Sequence, residues 1–214
     1  MNVLLLGDSI RMFYREEVKK QLGEGYYCYS PDENCRFSSY VLNSLRHWLP
    51  QFPVPDIIHW NVGLWDTAIL YREDGCFIGK SEYVNNMCKI LRELKRTGAK
   101  VIFATTTPVH EEKQYLQGPM PPAMRNADIM EYNQAVLEAF QDQDVEINDL
   151  FALMYPEKEK YLSDDMVHPN ELGVKLLGTA VAEKIKSMGQ VKNNGNCVDY
   201  YINREMITEE KEIQ

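Results

Sequence analysis

The chain has 214 residues, 44% hydrophobic and 26% charged, with a net charge of -9. That is enough chain for one domain with its own core, and acidity without a Lys/Arg cluster argues against a nucleic-acid partner or an anionic membrane surface. The five cysteines, Cys28, Cys35, Cys76, Cys88 and Cys197, are odd in number and form no Cys-x-x-Cys pair; neither a disulfide framework nor a metal site is expected, and a reduced, cytoplasmic setting fits.

Short apolar runs alternate with helical patterns. Residues 3–6 (VLLL) read as a buried strand. Ile10, Phe13, Tyr14, Val18 and Leu22 then recur at helical spacing. Residues 26–30 are a second strand candidate, rich in aromatics. Residues 38–49 read as a helix ending before Pro50, and 56–60 (DIIHW) as a third strand, with His59 and Trp60 in the core. Val84, Met87, Leu91 and Leu94 share one helix face, closed by Thr97-Gly98. Residues 100–105 form the fourth strand. Ile129, Tyr132, Val136 and Phe140 mark another helix, and 145–147 a short fifth strand. Leu172, Leu176, Ala180 and Ile185 mark the last helix, with Pro169 near its start. Strand-helix alternation implies a parallel sheet covered on both faces. The loops at 62–80 and 106–125 are long enough to suggest function. The pattern ends near Gly189, so residues 1–188 are expected to form the domain and 189–214 an acidic extension. The first apolar run is too short for a signal-peptide core, and no run is long enough to span a membrane.

Sites in open parallel sheets form beyond the carboxyl ends of the strands. There the sequence supplies Gly7, Asp8 and Ser9 after strand one, and Asn34, Cys35, Arg36 and Ser38 after strand two. Strand three is followed by Asn61, Gly63, Trp65 and Asp66, and strand four by Thr106, Thr107 and His110. Beyond strand five stands SDDMVHPN, with Asp165 and His168 three residues apart. A serine, a histidine and a carboxylate on one edge are the parts acyl transfer needs. Serine attacks once a base takes its proton, histidine suits that role, and an aspartate orients the imidazole.

Gly7-Asp8-Ser9-Ile10 near the N-terminus and Asp165-Met166-Val167-His168 before the last helix resemble the first and last blocks of the SGNH (GDSL) hydrolases. The resemblance covers residues 1–188. It implies a flavodoxin-like three-layer α/β/α sandwich on a five-stranded parallel sheet. It also implies ester hydrolysis without metal or other cofactor, and Ser9, His168 and Asp165 as the triad. The substrates it suggests are small-molecule esters carrying small acyl groups, acetyl among them, with carbohydrates as one kind of alcohol.

Two blocks depart from the family pattern. The second block's glycine is missing from ENCRFSS, so Cys35 or Arg36 would present the oxyanion N–H. The third block is reversed in NVGLWD, with Asn61 first and Gly63 second; Asn61 is the third oxyanion candidate, or it only satisfies loop backbone. Asp8, Gly63, Trp65 and Asp66 are the substrate-side candidates. Asp8 also reads as a turn or cap residue, and Trp65 and Asp66 as a packed aromatic and a solvated charge. His110 is expected on an exposed loop. A non-catalytic binding module on the same fold, or an acyltransferase, is the alternative function.

Overall fold

The computed structural model describes residues 1–71, 74–112 and 123–189. The acidic extension expected at 189–214 therefore lies, apart from Gly189, outside the described residues, as do Cys197 and the prolines at 119, 121 and 122. Five strands, β1 (Asn2–Leu6), β2 (Tyr27–Tyr29), β3 (Ile57–Trp60), β4 (Lys100–Ala104) and β5 (Glu146–Asn148), pair in the order β2-β1-β3-β4-β5. Every pairing is parallel. This is the flavodoxin-like order, with its switch point between β1 and β3. The helices are α1 (Ser9–Leu22), α2 (Ser38–Trp48), α3 (Lys80–Lys95), α4 (Asn126–Phe140), α5 (Leu150–Met154), α6 (Lys158–Tyr161) and α7 (Glu171–Ser187). The short α5 and α6 carry no periodicity long enough to read from sequence.

Alternation along the strands builds two cores. Val3, Leu5, Ile57 and Ile102 face the layer of α1 and α7, while Leu4, Leu6, Ile58, Trp60, Val101 and Phe103 face α2, α3 and α4. His59 and Trp60 are fully buried, as expected.

The α2 helix ends at Trp48, before Pro50 as expected, and a 3-10 turn, Leu49–Gln51, follows it with Pro50 in its first positions, where the missing N–H costs nothing. The inward face of the last helix is Gly173, Leu177, Gly178, Val181, Ala182 and Ile185; of the residues that mark the helix in sequence, Ile185 is fully buried, Ala180 packs against the core and Leu172 is exposed. A Cβ on Gly178 would lie 2.7 Å from Glu17 Cβ on α1, so this point of the contact requires glycine. No described helix is long and apolar enough to cross a membrane.

Candidate active site

The serine turn is built where β1 hands over to α1. Asp8 is the N-cap, accepting the Ile10 N–H at 3.0 Å, and Ser9 is the first helical residue. Only glycine fits at position 7, where a Cβ would lie 2.3 Å from Asn61 Oδ1 and 2.7 Å from Arg11 Cβ. Arg11, which sequence reasoning passed over, is fully buried. Its guanidinium donates to the Pro31 carbonyl at 2.9 Å, the Glu33 carbonyl at 2.6 Å and the Gly7 carbonyl at 3.3 Å. It therefore clamps the 31–35 segment onto the serine turn. Its only sequence signal is its place three residues before the buried Tyr14, on the inward face of α1.

The histidine arrives from the far end of the chain on a tight loop. Leu162 and Pro169 form an antiparallel bridge, and the Ser163 N–H donates to the His168 carbonyl at 2.8 Å. Met166 takes a positive φ of 68° inside this loop. Asn170 caps α7 through the Gly173 N–H at 3.0 Å, while its amide holds the Lys160 and Leu162 carbonyls. Asp165 Oδ1 accepts from Ser163 Oγ and from the Val167 and His168 N–H groups at 2.8, 3.0 and 2.8 Å. Partial burial pushes this carboxyl up, but the two backbone donors, the His168 ring and Ser163 outweigh it and hold it at about 2.

The loop sets His168 Nδ1 2.7 Å from Asp165 Oδ2 and His168 Nε2 2.7 Å from Ser9 Oγ. Phe13, one turn along α1, stacks on the imidazole with ring centroids 4.7 Å apart. Its exposure on an otherwise buried helix pattern is explained by that contact. Ser9, Asn34, Asp165 and His168 open onto a pocket of about 500 Å³. The other described residues of its wall are apolar: Phe37, Leu64, Trp65, Ala68, Leu70, Phe77, Met124 and Val167. Among the described residues no group of His, Cys, Asp or Glu side chains is arranged to hold a metal ion.

No family model matches the chain, and no curated protein matches it. Solved structures do. The lipase/acylhydrolase from Enterococcus faecalis is 20% identical, with 89% of this chain and 98% of that chain covered and a TM-score of 0.73. A catalytic mutant of an acetylxylan esterase from Geobacillus stearothermophilus is 17% identical over 86% of this chain and 93% of that one, TM-score 0.69. A member of the lipolytic G-D-S-L family from Veillonella parvula is 17% identical over 87% and 98%, TM-score 0.66. This chain has the SGNH-hydrolase fold.

Within the SGNH fold, the three residues of the first and last blocks meet, but the expected oxyanion donors are turned to other work. The Cys35 N–H donates to the Gly7 carbonyl at 3.2 Å, and the Cys35 side chain is buried. Arg36 takes a positive φ of 55°, the backbone a glycine would adopt freely. Its N–H donates to Asn34 Oδ1 at 2.8 Å, and its guanidinium lies over the Tyr40 ring, 4.7 Å from the centroid. Asn61 does not point its amide at the pocket. It is buried, donating to Asp8 Oδ1 and accepting from the Tyr14 hydroxyl, both at 3.0 Å.

Among the substrate-side candidates, only Trp65 lines the pocket. Asp8 is buried in the cap; burial, partly offset by the Ile10 N–H and the Asn61 amide, raises its pKa to about 6. Asp66 is buried rather than solvated. Its carboxylate takes the Ser38 N–H and hydroxyl, capping α2 from a distant loop where Phe37 offers no side-chain cap. Desolvation raises it to about 6 against those bonds. Gly63 is a packing glycine: at φ 155°, a Cβ there would meet Thr106 Oγ1 at 2.1 Å. His110, expected on an exposed loop, is buried. Its N–H donates to the Met166 carbonyl at 2.9 Å, and its Nδ1 lies 2.9 Å from Glu112 Oε2. The two sequence-distant segments close over it.

Proposed function

We propose that this chain is a metal-independent serine ester hydrolase acting through an acyl-enzyme on Ser9. Ser9 Oγ attacks the ester carbonyl carbon while His168 Nε2 takes its proton. Asp165 Oδ2 accepts the Nδ1–H and stabilises the imidazolium. The tetrahedral oxyanion develops at the N-terminus of α1, where the dipole and unsatisfied N–H groups favour negative charge. Its collapse breaks the C–O bond, and His168 returns the proton to the departing alcohol. Water then attacks the acyl-enzyme with His168 as base, releasing the acid and restoring Ser9.

The observation that carries this reading is the continuous chain from Asp165 Oδ2 through His168 to Ser9 Oγ, with both links at 2.7 Å. Its test is Ser9→Ala assayed on short activated esters. Loss of several orders of magnitude in kcat with an unchanged melt supports the assignment. Full activity in the folded variant refutes it, and tight ligand binding without turnover in the wild type would favour the binding module. Product distribution with a competing alcohol separates hydrolysis from acyl transfer.

Acetyl esters of carbohydrates are the first substrate candidates, favoured by the acetylxylan esterase among the similar structures and by three aromatic side chains, Phe37, Trp65 and Phe77, on the wall. One observation favours a second reading. Among the described residues, apart from Ser9 and His168, only Asn34 and Asp165 supply polar side chains to the pocket, few for a sugar's hydroxyls. A longer or aromatic acyl group would fill the apolar wall better.

A further inference from the structure

We propose that the side-chain amide of Asn34 is an oxyanion donor of this site. The inference rests on the serine-hydrolase reading above and names a group that it leaves open. Acyl transfer needs N–H donors fixed before the charge develops. Three expected donors are already committed: the Cys35 N–H to the Gly7 carbonyl, the Arg36 N–H to Asn34 Oδ1, and the Asn61 amide to Asp8. Gly63, at the other position of the reversed block, has no side chain. Asn34 borders the same pocket as Ser9 and His168.

The Arg36 N–H bond does a second thing. A backbone N–H can be accepted only by the amide's oxygen, so it settles which end of the Asn34 side chain is which. Nδ2 is left with no hydrogen bond of its own among the described residues. The support beneath Asn34 is rigid. Buried Arg11 holds the carbonyls of Pro31 and Glu33 on one side, and the Cys35 N–H is tied to the Gly7 carbonyl on the other. A donor held this way loses little entropy when the oxyanion forms.

The test compares wild type, Asn34→Ala and Asn34→Asp on p-nitrophenyl butyrate, with melting temperatures. Asn34→Asp keeps an oxygen for the Arg36 N–H but has no NH2. Both variants should lose about 10²–10³-fold in kcat, with KM within a few-fold. If Asn34 only shapes the loop, Asn34→Asp restores activity to within tenfold of wild type, which overturns the proposal. A trifluoromethyl ketone inhibitor removes the ambiguity of the added charge. Its hemiketal oxyanion occupies the same hole, so its Ki for neutral Asn34→Ala should rise in step with the loss of kcat/KM. An unchanged Ki overturns the assignment. A fluorophosphonate separates the two levels of failure. A wild type that it does not label sinks the hydrolase reading and this proposal together; a labelled wild type with active Asn34 variants sinks Asn34 alone.

Discussion

Replacing Asp165 by asparagine isolates what the carboxylate does for the imidazole. Oδ1 receives three donors, Ser163 Oγ and the Val167 and His168 N–H groups. An asparagine oxygen has two lone pairs, enough for the Val167 and His168 N–H groups that fix the loop, so the loop keeps its shape and the new NH2 falls at the position of Oδ2. There it faces His168 Nδ1, 2.7 Å away in the wild type. Two donors cannot share that contact, so Nδ1 gives up its hydrogen and Nε2 carries it. Nε2, 2.7 Å from Ser9 Oγ, then donates to the serine instead of accepting its proton. The same substitution in other triads costs about 10⁴ in kcat, or about 5.4 kcal/mol of barrier. The assay is kcat and KM on p-nitrophenyl butyrate with a thermal melt of each protein. The expected result is that drop in kcat with a melting temperature close to wild type. A folded Asp165→Asn protein with kcat within tenfold of wild type would refute the tautomer argument.

Asn61→Ala strips the Tyr14 hydroxyl and Asp8 of a buried partner, at roughly 2–4 kcal/mol together. The melting temperature should fall by on the order of 10 °C while kcat drops less than tenfold; a 10²–10³-fold loss of kcat in a stable variant would return Asn61 to the oxyanion hole. Asp66 and Asp8 are raised by burial to about 6 in the folded state, so the unfolded chain ionises first and stability declines as pH rises from about 4 to about 6, by up to about 3 kcal/mol per group. Asp165, held near 2, works in the opposite direction and below that window. Melting curves of wild type and Asp66→Asn across pH 4–7 should show a shallower decline in the variant; equal slopes would count against the Asp66 contribution. An acyl series decides between the two substrate readings. If the apolar wall holds the acyl chain, each added methylene should raise kcat/KM up to about fourfold, whereas a series that falls from acetate favours the acetyl reading.

The sheet was legible because each central strand is a short apolar run buried on both faces. The meeting of Ser9, His168 and Asp165 was legible because Gly-Asp-Ser and Asp-x-x-His are local patterns with a fixed order along the chain. What escaped depends on contacts between distant segments. Asp66 reads as a surface charge until the start of α2 is seen against it. Asn61 reads as a donor to substrate until Tyr14 and Asp8 are seen to claim it. His110 sits in a proline-containing loop, yet it is buried and its N–H is taken by the Met166 carbonyl from a segment distant in sequence. Arg11 looks like an ordinary helix charge, since its acceptors are carbonyls 20 and 22 residues away. The role of Gly178 on α7 was not legible because a glycine carries no weight in a hydrophobic count, while the close approach of Glu17 on α1 requires one.

The central claim is that His168 makes Ser9 a nucleophile. The most direct measurement is mass spectrometry of the peptide carrying Ser9 after treatment with a fluorophosphonate, which reacts with activated serines. The account predicts one adduct, on Ser9, in the wild type, none in Ser9→Ala, and labelling slowed by orders of magnitude in His168→Ala. A folded wild type that stays unlabelled at Ser9, or labels equally fast without His168, would contradict it.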